Sequence, residues 1–183
     1  MVEALRFAAA AICVLALAAC SSVPQTDYAE RDDAPAPLAR GQILTPDQPL
    51  KCVGFARERS GIQIYGDAWT WWNQADGHYA RDTTPELGAV LVLTGYAGEK
   101  RAHLAVVREK DSPRVIRVDH ANWLNDGRIY LDDPVADVSP ENDWSQVRVY
   151  NLRDHGWGGK IYQVQGFILP EKPDTEPVRI SQR

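Results

Sequence analysis

From Gly88 onward the chain is written in short runs rich in Val and Ile, each stopped by a Gly, Asp or Pro turn. AVLVL (89–93), AHLAVVRE (102–109), RVIRVDHAN (114–122), VRVYN (147–151) and KIYQVQGFI (160–168) read as strands. The segment ahead of them has a different texture. Residues 52–59 follow Pro49, carry Val53, Phe55 and Ala56, and stop at Gly61, which predicts a short helix with a glycine stop. A second helix is predicted over 67–75, with Asp67 as its cap and Gly77 beyond its end. Helices first and strands after predict the α+β class, short N-terminal helices packed on an antiparallel sheet. There are no internal repeats.

The amino terminus sets the compartment. Arg6 precedes an uncharged apolar run over 7–19, the layout of a secretory signal peptide. At 13 residues the run is shorter than the roughly 20 that a membrane-spanning helix needs. It ends Leu17-Ala18-Ala19-Cys20, a sequence that resembles a bacterial lipobox, in which cleavage before the cysteine leaves a lipid-modified residue. The expectation is a signal peptide over 1–19 and a lipid anchor on Cys20. Ser21 after the cysteine favours, by the same resemblance, the outer membrane with the domain facing the periplasm. Residues 20–45 are rich in Ala, Asp and Pro and predict a disordered tether, and 170–183 read as a disordered tail. One domain over 46–169 remains, a size suited to a single core.

Charge narrows the partners. Glu3 and Arg6 leave together, so the mature chain keeps the formal charge of −5, and it shows no basic patch or nucleic-acid motif. Nucleic acid is not an expected partner. Asp47 stands alone before Cys52, too few oxygen ligands for calcium, and neither a metal nor a cofactor is expected.

Cysteine usage raises the chemical question. Of the three cysteines, Cys13 leaves with the signal and Cys20 carries lipid, so Cys52 has no disulfide partner in an oxidising compartment. It is either a packed small hydrophobe or a thiol kept for its reactivity. A helix start favours thiolate through free N–H groups and the positive end of the helix dipole. A nucleophilic thiol also needs a base, oriented by a third polar group. His103 opens the apolar run HLAVV, where an imidazole is out of place unless it serves a site. In the next strand the two-residue period places Ile116, Val118, His120 and Asn122 on one face and Arg117, Asp119 and Ala121 on the other. The first set faces the core, so His120 and Asn122 are inward polar residues at a strand end.

The order KCVGFARERSGI, YGDAWTWW, PELGAVLVL, HLAVV, HANW resembles the CHAP domain, the cysteine, histidine-dependent amidohydrolase/peptidase family of the papain-like superfamily. The resemblance implies a papain-like fold, peptidoglycan as substrate, Cys52 as nucleophile and His103 as base, with the Cys52 N–H at the oxyanion. CHAP domains often place Glu at the position of His120; other papain-like cell-wall peptidases use His as third member. His120 and Asn122 are therefore both candidates to orient His103. Trp123 is placed to shield the catalytic hydrogen bond, and it and Trp72, from the cluster Trp69, Trp71 and Trp72, are the candidate substrate-binding aromatics. Two of those three are expected to serve packing. His155, in the loop NLRDHGWGG, reads as solvated.

Three functional classes stay open. The first is a lipid-anchored peptidoglycan hydrolase, either amidase or endopeptidase. The second is a catalytically silent murein-binding scaffold, with or without an envelope protein partner. The third is an acyl transferase that delivers to an amine.

Overall fold

The computed structural model describes residues 40–170. The predicted signal segment, Cys20, the tether up to residue 39 and the tail over 171–183 lie outside the described residues. The tether is expected to run to 45, but Gln42–Leu44 forms a strand, β1.

Helix α1 (Cys52–Ser60) ends at Gly61, whose φ of 80° lets its N–H return to the Arg57 carbonyl. Arg57 and Arg59 occupy its last turn, where cations complement the helix dipole. The helix predicted over 67–75 is split into a 3₁₀ turn (Ala68–Thr70) and a single α turn, α2 (Trp71–Gln74). Asp67 holds the cap position without a side-chain cap bond.

The remaining strands are β2 (Arg81–Asp82), β3 (Val90–Thr94), β4 (His103–Ser112), β5 (Val115–Ala121), β6 (Ile129–Asp137), β7 (Gln146–Asn151), β8 (Gly156–Trp157) and β9 (Tyr162–Ile168). All pairings are antiparallel. Six strands follow one another in the order β6-β5-β4-β3-β9-β7, and β7 returns to β6 through Val135↔Val149 and Asp137↔Val147. That last pairing closes a barrel. The expected papain-like α+β fold, helices on an antiparallel sheet, is thus corrected to a mainly β closed barrel with two short helices on its outside.

The sequence reading missed β6, the strand that closes the ring, because Asp132-Asp133-Pro134 interrupts it. Proline removes a ladder donor and normally argues against a central strand. Here β1 pairs with residues 129–131 and β7 with 135–137, so Pro134 sits where β6 has only β5 as neighbour. Between Val118↔Asp133 and His120↔Tyr130, β6 carries one extra residue. Asp132 takes φ 51° in this bulge, its N–H bonded to Asp119 Oδ1 at 3.0 Å.

Alternation along the strands produces two cores. Leu91, Leu93, Ala105, Val107, Ile116 and Val118 fill the barrel with Trp123, Tyr130 and Phe167. Their neighbours Val90, Val92, Leu104 and Val106 face outward and bury Ala56 of α1, Ala68 and Trp71. Gly166 (φ 146°) is needed where β9 passes under Trp72, since a Cβ there would lie 2.3 Å from the indole.

Candidate active site

Cys52 opens α1 on the outer face and His103 opens β4, and both line one cleft. Lys51, the residue before the helix, is extended and makes no side-chain cap bond, so the first-turn N–H groups stay available. The backbone N–H groups of Leu104, Val53 and Cys52 itself reach the sulfur and favour its anion. Burial opposes them and wins, pushing the Cys52 thiol above its usual range. The resting group near neutral pH is a thiol, which corrects the expectation of a thiolate poised by the helix terminus.

His103 shares the inward parity of Ala105 and Val107 and is 2% exposed. The Trp123 ring meets it edge-on at 4.8 Å, with Tyr96 at 5.7 Å. Burial, and then the neighbouring His120, hold its pKa well below the ordinary histidine range. Its Nε2 lies 2.9 Å from Nδ1 of His120, which is fully buried, and His120 Nε2 lies 2.9 Å from Asp133 Oδ2. Three side chains on three adjacent strands, β4, β5 and β6, therefore form one polar row inside the barrel. The only His103 ring nitrogen outside that row is Nδ1.

Sequence reading missed Asp133 because it lies in the bulged strand. The available signal was the Asp-Asp-Pro triplet itself, a pair of carboxylates next to a residue that disturbs strand pairing.

The two histidines are brought together, whereas Asn122 is not part of the row. Asn122 (φ 60°) accepts from the Gly127 N–H through Oδ1 at 2.8 Å, and makes no hydrogen bond to either imidazole. Gly127 in turn accepts from the Leu50 N–H, and a Cβ on it would lie 2.6 Å from Pro49. Asn122 thus organises the loop that docks against the entry to α1, a positional role instead of an orienting one.

Cys52, Trp69, His103 and Asn122 share the lining of a cleft of about 410 Å³. Its charged lining residues are Lys51, Lys100, Arg101 and Asp67, three cations against one acid in a chain of net charge −5. A larger cleft of about 550 Å³, bounded by Gln63, Tyr65, Gln74 and Tyr79, holds neither the thiol nor the histidine pair. Of the candidate aromatics, Trp72 lies outside the first cleft, over Gly166 with the Arg81 guanidinium 5.0 Å from its ring. Trp123 is 5% exposed and covers the imidazoles from within the barrel, so it offers no face to a substrate. Trp69, 38% exposed with Lys100 Nζ 5.9 Å from its ring, is the tryptophan at the cleft, where Tyr96 also forms part of the lining. Trp71 is fully buried and His155 is exposed.

Asp119 points away from the row, as the two-residue period indicates. Its carboxylate accepts from Arg59 Nε at 2.8 Å and lies 3.4 Å from Arg108 Nε. Asp119→Asn keeps an acceptor for the Asp132 N–H but loses both ion pairs. It is expected to cost roughly 1–2 kcal/mol, because the arginines are partly exposed while the aspartate is buried. Turnover within about threefold of wild type is expected, since the row does not include it. Thermal denaturation alongside a turnover assay checks both halves.

The CHAP domain family matches residues 45–122, 78 of the 183 residues, a span that contains Cys52, His103 and His120 but stops before Asp133. CHAP domains are typically cysteine- and histidine-dependent amidohydrolases, and the match points to hydrolase chemistry of the amidase or peptidase type. No curated protein and no solved structure matches the chain.

Proposed function

We propose that this chain is a CHAP-type cysteine amidohydrolase that cleaves amide bonds of peptidoglycan, with Cys52 as nucleophile and His103 as base. The observation that carries the reading is the single unengaged ring nitrogen of His103, at a cleft whose lining includes Cys52. His103 Nδ1 takes the thiol proton as sulfur attacks the amide carbonyl carbon. The carbonyl oxygen becomes an oxyanion beside the first-turn N–H groups of α1. His103 returns the proton to the leaving amine, the C–N bond breaks, and a thioester on Cys52 remains. Water, deprotonated by His103, then cleaves the thioester and restores the thiol. A buried, neutral imidazole suits this cycle because it starts as a base.

The cationic cleft favours an acyl donor that carries carboxylates, as peptide substituents of the cell wall do. The silent-scaffold reading accounts for none of the polar row, since a binding surface has no use for a buried imidazole pair behind a thiol. Digestion of purified sacculi with the domain over 40–170, followed by mass spectrometry, tests the proposal. Release of fragments with newly exposed carboxylates and amines is expected. Intact sacculi would overturn it, and products joined to an added amine would indicate transfer instead of hydrolysis.

Lipid attachment at Cys20 completes the reading: several acyl chains on one residue anchor durably, at about 0.8 kcal/mol per buried CH₂. The tether would hold the domain on the order of 25 Å from an outer membrane, facing the periplasm. Cys20→Ala is expected to leave the protein unprocessed or to release it from membranes, with activity in vitro retained. Recovery of fully processed variant in the outer-membrane fraction would mean that a protein partner holds it there.

A further inference from the structure

We propose that Asp133 is a positioning residue that fixes the proton on Nε2 of both imidazoles and so keeps Nδ1 of His103 free to take the Cys52 proton. The proposal adopts the role of Cys52 from the proposed function; the placement of the protons rests on the hydrogen-bond geometry of the row and the burial of its members.

Asp133 is fully buried on β6, and its Oδ2 lies 2.9 Å from His120 Nε2. An ionised carboxylate only accepts hydrogen bonds, so His120 Nε2 carries the hydrogen. Burial raises the Asp133 pKa on balance, while the His120 bond and the Arg117 guanidinium act against it and favour the charged form. A neutral imidazole has one N–H, which leaves His120 Nδ1 as an acceptor. Its 2.9 Å contact with His103 Nε2 then requires the hydrogen to sit on His103 Nε2. His103 is held neutral, so its Nδ1 carries a lone pair. The direction of the whole row is therefore set at its β6 end.

The opposite arrangement has the same bond lengths and the reverse chemistry. With no acceptor at His120 Nε2, the His120 hydrogen moves to Nδ1 and donates to His103 Nε2. The His103 hydrogen then sits on Nδ1, and the ring can no longer accept a proton there. The β6 bulge lies beside this row: Asp132, at φ 51°, absorbs the extra residue between Asp133, opposite Val118, and Tyr130, opposite His120. The Asp119 carboxylate and the Arg117 guanidinium hold its N–H and carbonyl.

The test is a two-bond ¹H–¹⁵N correlation spectrum of histidine-labelled protein near neutral pH, with the rate of Cys52 alkylation by iodoacetamide. Wild type is expected to show His103 and His120 both as Nε2–H tautomers. Asp133→Leu is expected to move both toward Nδ1–H and to slow alkylation at least about tenfold. Asp133→Asn, whose amide oxygen can still accept, is expected to keep the Nε2–H pattern and most of the rate. An Nδ1–H tautomer on His103 in wild type overturns the proposal without any variant. So does a folded Asp133→Leu with tautomers and alkylation unchanged; should that variant not fold, the wild-type and Asp133→Asn spectra decide. Neither readout uses a substrate, so expected tautomers beside inert sacculi would sink the peptidoglycan reading and leave this assignment standing.

Discussion

Cys52→Ser and His103→Ala are each expected to lower fragment release from sacculi by at least about 10³-fold, and the double variant is expected to be no worse than either. In the proposed cycle sulfur and imidazole act on one proton, so removing either removes the step. The serine hydroxyl is far less acidic than the thiol, and His103, with its basicity reduced by burial, is not equipped to deprotonate it. Cys52 is half-buried at a helix start, and serine fits the same space, so the fold is expected to persist. Measurable turnover by the serine variant would remove Cys52 from the nucleophile's role. The pH dependence follows from the same two groups. A raised thiol and a depressed imidazole give a free site of thiol plus neutral base, not a preformed ion pair. The acid limb of kcat/KM is therefore expected below the ordinary histidine range, where His103 finally protonates. Stability carries a linked signature. The unfolded imidazole takes a proton below its ordinary value of 6.5 that the folded one resists. His103 thus contributes stability fully present above that value and lost as pH falls from it toward the lower folded pKa.

Which parts of this site were legible follows from where the backbone is regular. The assignment of His120 inward and Asp119 outward rests on the two-residue period of β5. It agrees with the structure because the irregularity between these strands lies in β6, whose extra residue leaves β5 itself unbroken. The same bulge, with Pro134, erased the period of β6 and so hid both the closure of the barrel and Asp133. In the Trp69–Trp72 cluster two of the three tryptophans pack as expected, Trp71 and Trp72, and only the choice of the one at the cleft differs, for a related reason. The backbone changes from 3₁₀ to α at Trp71, helical spacing does not run through it, and Trp69 instead of Trp72 reaches the cleft. The thiol was misjudged because a helix terminus is visible in a sequence and burial is not. The CHAP resemblance gives Cys52 and the histidines as candidates in order, but the family match ends at Asn122 and carries no information on the strand that follows.

His120→Ala is expected to lower turnover by about 10²-fold or more while His120→Asn retains most of it. His120 does two things with two nitrogens: Nδ1 meets His103 and Nε2 meets Asp133. Alanine removes both contacts, frees the His103 ring to turn, and leaves the Asp133 carboxylate buried beside a cavity. Removing one partner of a buried charged contact costs about 3–5 kcal/mol, so a fall in thermal stability should accompany the kinetic loss. Asparagine places its amide oxygen near the position of Nδ1 and can accept from His103, which preserves the orientation of the base. His120→Glu separates this row from an ordinary catalytic carboxylate. A glutamate at this position would bring a second carboxylate against Asp133 in a dry interior, and like charges that close cannot both ionise cheaply. One of the two must take up a proton, which then competes for the acceptor that His103 requires. His120→Glu is therefore expected to be less active than His120→Asn, even though the CHAP resemblance would suggest glutamate at that position. In the double variant with Asp133→Asn that conflict disappears, and activity should rise above that of His120→Glu alone. Steady-state kinetics of the four proteins on one soluble muropeptide would decide. A fully active His120→Glu, or a double variant no better than it, would show that His120 and Asp133 do not act as a coupled pair.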